Sequence, residues 1–353
     1  MKKTSKIMSL VLAGAMVLSM SACSGNKTAE TAKAEETTAA ASGEAPSEAT
    51  EAEETKAQDG AQAADDTTYK IGILQLVQHT ALDAANEGFV AALDEAGIKY
   101  DLDSQNASGD QSACQTVASK FANDKKDLIL AIATPAAQAV AGAVTDTPVL
   151  ITAVTDPAES GLVDDNQKPG GNVTGTSDLT PVKEQVELLQ KILPDARKIG
   201  ILYCSAESNS EIQAQMAREA IEAAGMTSQD FTVSSSNEIQ TVVQSMVGKV
   251  DAIYAPTDNT IAAGMTTVGM VAGDNKLPVI CGESGMVDNG GLATYGIDYY
   301  QLGYMTGQQA VKILTEGASP ADMPIEYLPA EKCELTVNEE TAQTLGIDVS
   351  GIQ

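Results

Sequence analysis

The residues with most chemistry to offer stand in short polar runs that each follow an apolar one. In the first half these are Val77-Gln78-His79-Thr80, Ser104-Gln105-Asn106, Ala133-Thr134-Pro135-Ala136 and Val154-Thr155-Asp156-Pro157. In the second half they are Cys204 through Asn209, Ser234 through Asn237, Pro256-Thr257-Asp258-Asn259 and Gly282-Glu283-Ser284-Gly285. Their hydroxyls, amides and carboxylates can cap a following helix and can equally touch a small ligand. Catalytic arrangements are missing. There is no G-x-S-x-G, H-E-x-x-H or P-loop, and His79 is the sole histidine, so a Ser/His/Asp triad would have to be built on it. The turn Val77-Gln78-His79 lacks the glycines of a dinucleotide fingerprint. Paired carboxylates can cut a glycoside, yet sugar sites carry stacking aromatics, and this chain has no Trp and only three Phe. Cys114, Cys204, Cys281 and Cys333 are spaced far apart; that spacing selects no disulfide and makes no metal cluster. The expectation is a binding protein, not an enzyme, with no cofactor and no metal.

The polar runs are positioned by an alternation of β-branched strands and Ala-rich amphipathic helices. Strands are predicted at Lys70 to Leu76, Lys99 to Leu102, Leu128 to Ile132, Val149 to Thr152 and Gly171 to Gly175, with helices at Leu82 to Ala96, Ser112 to Asn123 and Ala136 to Val144. After a helix at Val182 to Ile192 the rhythm restarts, and Lys198-Ile199-Gly200-Ile201-Leu202 echoes Lys70-Ile71-Gly72-Ile73-Leu74. The second set has strands at Asp230 to Val233, Ala252 to Tyr254, Val279 to Cys281 and Leu292 to Thr294, with helices at Glu211 to Ala224, Glu238 to Val247 and Thr260 to Ala272. Strand, helix, strand at this spacing means right-handed βαβ units on a parallel sheet covered on both faces. The fold class is α/β, as two doubly wound Rossmann-like lobes. Ligands bind outside the carboxyl ends of such strands, so two facing lobes make a cleft.

The chain's start reads differently. Lys2, Lys3 and Lys6 precede an apolar run from Ile7 to Leu18 and then Met20-Ser21-Ala22-Cys23, the pattern of a secretory leader with a lipid-accepting cysteine at the cut. That run of about a dozen apolar residues is too short to span roughly 30 Å of hydrocarbon. Residues 1–22 are therefore expected to be a signal peptide and Cys23 the lipidation site. Residues 23–68 contain no aromatic, Leu, Ile or Val, which predicts a disordered acidic tether. The net charge is −28. The leader's three lysines and the tether's eleven acids against three lysines leave −23 on residues 69–353. A balance this acidic argues against a nucleic-acid partner.

A lipoprotein leader, an acidic tether and two repeated lobes resemble the type I substrate-binding proteins of ABC transporters. Ile71-Gly72-Ile73-Leu74-Gln75, Gln78-His79-Thr80-Ala81-Leu82-Asp83, Ala133-Thr134-Pro135-Ala136-Ala137-Gln138, Ala153-Val154-Thr155-Asp156-Pro157, Gly171-Asn172-Val173-Thr174-Gly175 and Tyr254-Ala255-Pro256-Thr257-Asp258-Asn259 are similar to the branch whose characterised members bind tryptophan or related aromatic amino acids. The resemblance implies three crossings between lobes, near Thr176-Ser177-Asp178, Tyr295 to Asp298 and Tyr327-Leu328-Pro329, forming a hinge. The lobes would then be residues 69–176 with 296–327, and 177–295 with 328–353. It further implies a monomer at the cell membrane that hands a solute to an ABC permease. For a free amino acid, the carboxylate would take helix N-terminal N–H groups around Thr134, as N-cap, and Ala136. The ammonium would take Asp156, Asp258 or Glu283, and Gln78 or His79 would meet a polar group on an aromatic side chain. Ser177, Asn209 and Asn259 complete the expected ligand-binding set. A sugar or nucleoside receptor, or a sensor domain for a membrane partner, are the alternatives.

Overall fold

The computed structural model describes residues 67–352. The leader, Cys23 and nearly all of the expected tether lie outside the described residues. The chain first builds β1 (Thr68–Gln75), α1 (Thr80–Glu95), β2 (Lys99–Asn106), α2 (Gln111–Asp124), β3 (Leu128–Ile132), α3 (Thr134–Ala143), β4 (Val149–Val154) and β5 (Val173–Ser177). It continues through α4 (Val182–Ile192), β6 (Lys198–Cys204), α5 (Ser208–Ala223), β7 (Thr227–Val233), α6 (Ile239–Met246), β8 (Ala252–Ala255), α7 (Asn259–Ala263), α8 (Met265–Asp274), β9 (Val279–Cys281), α9 (Ser284–Asp288) and β10 (Ala293–Gly296). Last come α10 (Tyr299–Glu316), β11 (Glu326–Tyr327), β12 (Glu334–Val337) and α11 (Glu339–Leu345).

These strands form two six-stranded sheets, ordered β11-β5-β4-β3-β1-β2 and β12-β10-β9-β8-β6-β7. The first is parallel throughout. The second departs from the expected parallel sheet at one edge, where β12 runs antiparallel to β10. The chain passes from the first sheet to the second after β5, returns after β10, and leaves again after β11. Strand order reverses between β1 and β3 in one sheet and between β6 and β8 in the other. Helices α1, α3, α5 and α7 start at these two switch points, where open α/β sheets place ligands.

The echoed glycines have a packing reason. A Cβ on Gly72 would lie 2.9 Å from the Phe121 ring of α2, and one on Gly200 would lie 2.4 Å from the Met246 side chain of α6. Each bare strand position lets a large side chain of the covering helix rest on the sheet. Helix α10 returns to the first lobe and packs on α1, with Leu302, Ala310 and Ile313 in that lobe's core. The predicted helix Thr260 to Ala272 is broken into α7 and α8 at Gly264, where a Cβ would meet Ile239 at 2.3 Å. Cys114, Cys204 and Cys281 are buried and Cys333 half-buried, and among the described residues none of the four is paired. Among the described residues no helix is long and apolar enough to cross a membrane.

Candidate functional site

The switch-point helices surround a narrow cavity between the lobes. From the first lobe and the crossings it is lined by His79, Leu82, Ala153, Thr155, Asp178 and Tyr299. The second lobe contributes Asn209, Thr257, Asp258, Asn259, Ala262 and Glu283. No lysine or arginine lines it. Two backbone positions at the carboxyl ends of β3 and β4 are strained. Ala133, the N-cap of α3, has φ 82° and Ala153, at a bulge in β4, has φ 54°, conformations that an alanine holds only when its surroundings impose them.

Three carboxylates face this space, and their partners separate them. Asp258 caps α7: its carboxylate accepts from Ile261 N at 2.7 Å and Cys204 N at 2.5 Å. Glu283 caps α9, accepting from Gly285 N and Met286 N. Gln185 of α4 fixes the loop carrying Glu283, donating to Gly282 O at 3.0 Å and Tyr295 O at 2.7 Å while accepting from the Tyr254 hydroxyl. Asp178 caps nothing. Its side-chain partners are both hydroxyls, Tyr299 Oη at 2.8 Å and Thr155 Oγ1 at 3.3 Å. Burial raises Asp178 to about 6 and Glu283 to about 7. Burial and, second, the charge of Glu207 raise Asp258 to about 7. Each pays for desolvation without a cationic partner.

Amides supply the remaining polarity. Asn209 Nδ2 donates to Thr257 O and Glu207 Oε2, which fixes the amide's orientation and leaves Oδ1, buried, without a partner among the described residues. Asn259 Nδ2 donates to Glu207 at 2.6 Å, and its Oδ1 lies 3.4 Å from His79 Nε2 across the cleft. His79 Nδ1 has no partner among the described residues. Burial holds the imidazole below its usual value, against the Asn259 bond and the charges of Glu207 and Asp83.

Of the residues expected from sequence, His79, Asn209, Asp258, Asn259 and Glu283 are brought together around the cavity. Thr134 is the first residue of α3 and not its N-cap, because the strained Ala133 takes that position. It is buried, and its Oγ1 has no partner among the described residues. Ala136 is buried in the same turn. Gln78 is exposed and borders a separate surface hollow with Asp83 and Asn86. Asp156 closes a local turn, accepting from Ala158 N, Glu159 N and Asn166 Nδ2, so its charge is satisfied outside the cavity. Ser177 ties the first crossing to β4 by donating to Thr155 O at 2.7 Å. Thr155 and Thr257 stand in the polar runs but outside the expected ligand-binding set, as does Tyr299, and Asp178 was expected only as a hinge residue. Asp178 did carry a signal: it follows a strand but stands too far before α4 to cap it.

A family model for ABC transporter substrate binding proteins matches residues 70–351. The chain belongs to that family. Its members are solute-binding proteins rather than enzymes, and they work outside the cytoplasm. A tyrosine-binding protein of Clostridioides difficile strain R20291 is 40% identical over 351 residues, covering 98% of this chain and 93% of that one. Among solved structures, a domain from Streptococcus pneumonia in complex with L-Trp is 42% identical with a TM-score of 0.77, covering 80% of this chain and 96% of the other. The ligand-free, open structure of a Clostridium difficile substrate binding protein with adhesive properties is 47% identical over the same shares, yet its TM-score is 0.61. The two α/β lobes are those of a type I periplasmic binding protein. Despite its lower identity, the ligand-bound relative superposes better than the open one.

Proposed function

We propose that this protein is a lipid-anchored receptor that closes its lobes on one free aromatic amino acid and delivers it to an ABC permease. The observation that carries the reading is Asp178, a buried carboxylate in a cavity without lysine or arginine, held by two hydroxyls and by no backbone N–H of a following helix. Such a group needs a cation, and an α-ammonium supplies one with three donors. Asn209 Oδ1 is a second acceptor of the same cavity. The α-carboxylate goes to the start of α3, where Thr134 Oγ1 lacks a partner and no side chain caps the first turn. Asp258 and Glu283, already engaged as caps, shape the wall. Relatives named for tyrosine and for a complex with L-Trp support the aromatic class.

The same reading places the hinge at the three crossings, the lobes at 69–176 with 296–327 and at 177–295 with 328–353, and the monomer on a tether from a lipidated Cys23. Calorimetric titration with L-tryptophan, L-tyrosine, L-phenylalanine and L-leucine tests it. Binding of an aromatic member in the micromolar range or tighter is the expected result. A wild-type protein that binds none of the four while a sugar or nucleoside raises its melting temperature would refute the amino-acid assignment.

A further inference from the structure

Five side chains form an unbroken hydrogen-bonded line through the closed cleft. Tyr299 Oη and Thr155 Oγ1 donate to Asp178. Gln213 Nε2, from α5 of the second lobe, donates to Thr155 Oγ1 at 2.9 Å and to Thr257 Oγ1. Thr257 N donates back to Gln213 Oε1 at 3.3 Å, which fixes the amide with its NH2 toward the hydroxyls. All five are buried, and Gln213 has no exposed surface. Other bonds between the lobes are less deeply buried: Gln111 Nε2 to Ala206 O at 3.2 Å and Gln138 Nε2 to Ser208 Oγ at 3.3 Å are exposed, and half-buried His79 meets buried Asn259.

The directions of these bonds matter. Thr155 has one hydroxyl proton, and Asp178 takes it, so the oxygen's lone pairs face Gln213. A charged Asp178 polarises that hydroxyl and strengthens its acceptance from Gln213. Within this line, opening the lobes breaks only the Thr155–Gln213 link, since Gln213 keeps Thr257 within its own lobe, and Asp178, next to β5 of the first sheet at the crossing, stays with Thr155.

We propose that Gln213 is the closure latch of this receptor, a positioning residue outside the cavity lining that sets how long the lobes stay closed by tying them through Thr155 to Asp178. The link to ligand rests on Asp178 taking the ammonium; the latch on the lobes does not.

Two experiments on the full chain separate the two claims. With Gln138→Cys and Ser208→Cys introduced, a short bismaleimide joins the lobes only when they are closed, and its rate in ligand-free protein reports the closed population. Gln213→Leu and Thr155→Val should each lower that rate roughly two- to tenfold, the equivalent of one neutral hydrogen bond, while Thr155→Ser keeps it. The lost Thr257 contact in Gln213→Leu is shared by open and closed forms and cancels. With L-tryptophan or L-tyrosine as probe, Gln213→Leu should speed dissociation by a similar factor and leave association unchanged. Crosslinking rates in Gln213→Leu and Thr155→Val equal to that of the two-cysteine parent would overturn the latch, as would an equal loss in Thr155→Ser. If the parent binds neither amino acid, the proposed ligand fails and the crosslinking rates still decide the latch.

Discussion

At the scale of single residues, the partition of carboxylates makes a sharp prediction. Asp178→Asn removes a charge-assisted contact with an ammonium and should cost about 1.5 to 3 kcal/mol, about ten- to a hundredfold in affinity for an aromatic amino acid. Asp258→Asn should act on the fold first: it weakens the acceptor of Cys204 N and Ile261 N, lowering the melting temperature more than the affinity. Calorimetry and thermal unfolding on both variants check this; the reverse ranking would return the ammonium to Asp258. Much of the site was legible because switch-point helices begin with Ser, Thr, Asn and Asp, and those residues announce themselves by type. Sequence could not say which of them had spent its hydrogen bonds. Asp156 and Gln78 look as suitable as Asp178 until Asn166 and the exposed face of α1 are seen around them. Gln213 lies in the second turn of an ordinary amphipathic helix, where nothing marks a buried amide that reaches across a cleft.

At the scale of elements, β-branched runs and helical periodicity located the cores of both lobes, since β3, α4 and β9 are fully specified by apolar pattern. The pieces that escaped are short and weakly buried. β11 has two residues and β12 four, each at a sheet edge, and their pairing depends on the chain's last crossings rather than on their own residues. The break between α7 and α8 needed the Ile239 side chain to be in place. Close approach of α1 and α10 is equally tertiary. A Cβ on Gly303 would lie 1.9 Å from Ala85 O, and one on Gly88 would lie 2.0 Å from Tyr300 O. Backbone cannot yield as a flexible side chain does, so Gly303→Ala should destabilise by more than about 2 kcal/mol, at the upper part of the overpacking range. Denaturant unfolding measures it; a loss under about 0.5 kcal/mol would mean that the two helices separate freely.

At the scale of the whole molecule, a chain truncated to begin at Asp65 keeps every described strand and should bind as the full chain does; scattering should show both contract on adding ligand. Charge then links stability and binding in opposite directions. Asp178, Asp258 and Glu283 are raised by burial to between about 6 and about 7, above the ordinary carboxylate range, so between about pH 4 and pH 7 the folded protein holds protons that the unfolded chain has released. The stabilisation from these neutral carboxyls is complete below the unfolded values and is lost as pH rises through the folded ones. Self-repulsion from a net charge of −28 works in the same sense. The ligand-free protein should therefore melt higher at about pH 5 than at about pH 7.5. An ammonium pairs only with ionised Asp178, so affinity should run the other way, falling by up to about tenfold for each pH unit below 6 as a proton must leave for the ligand to enter. The thermal shift caused by L-tryptophan or L-tyrosine should thus be small at about pH 5 and large at about pH 7.5, and Asp178→Asn should flatten that dependence. Equal affinity at both pH values would take Asp178 out of the ammonium site, whatever the melting curves show.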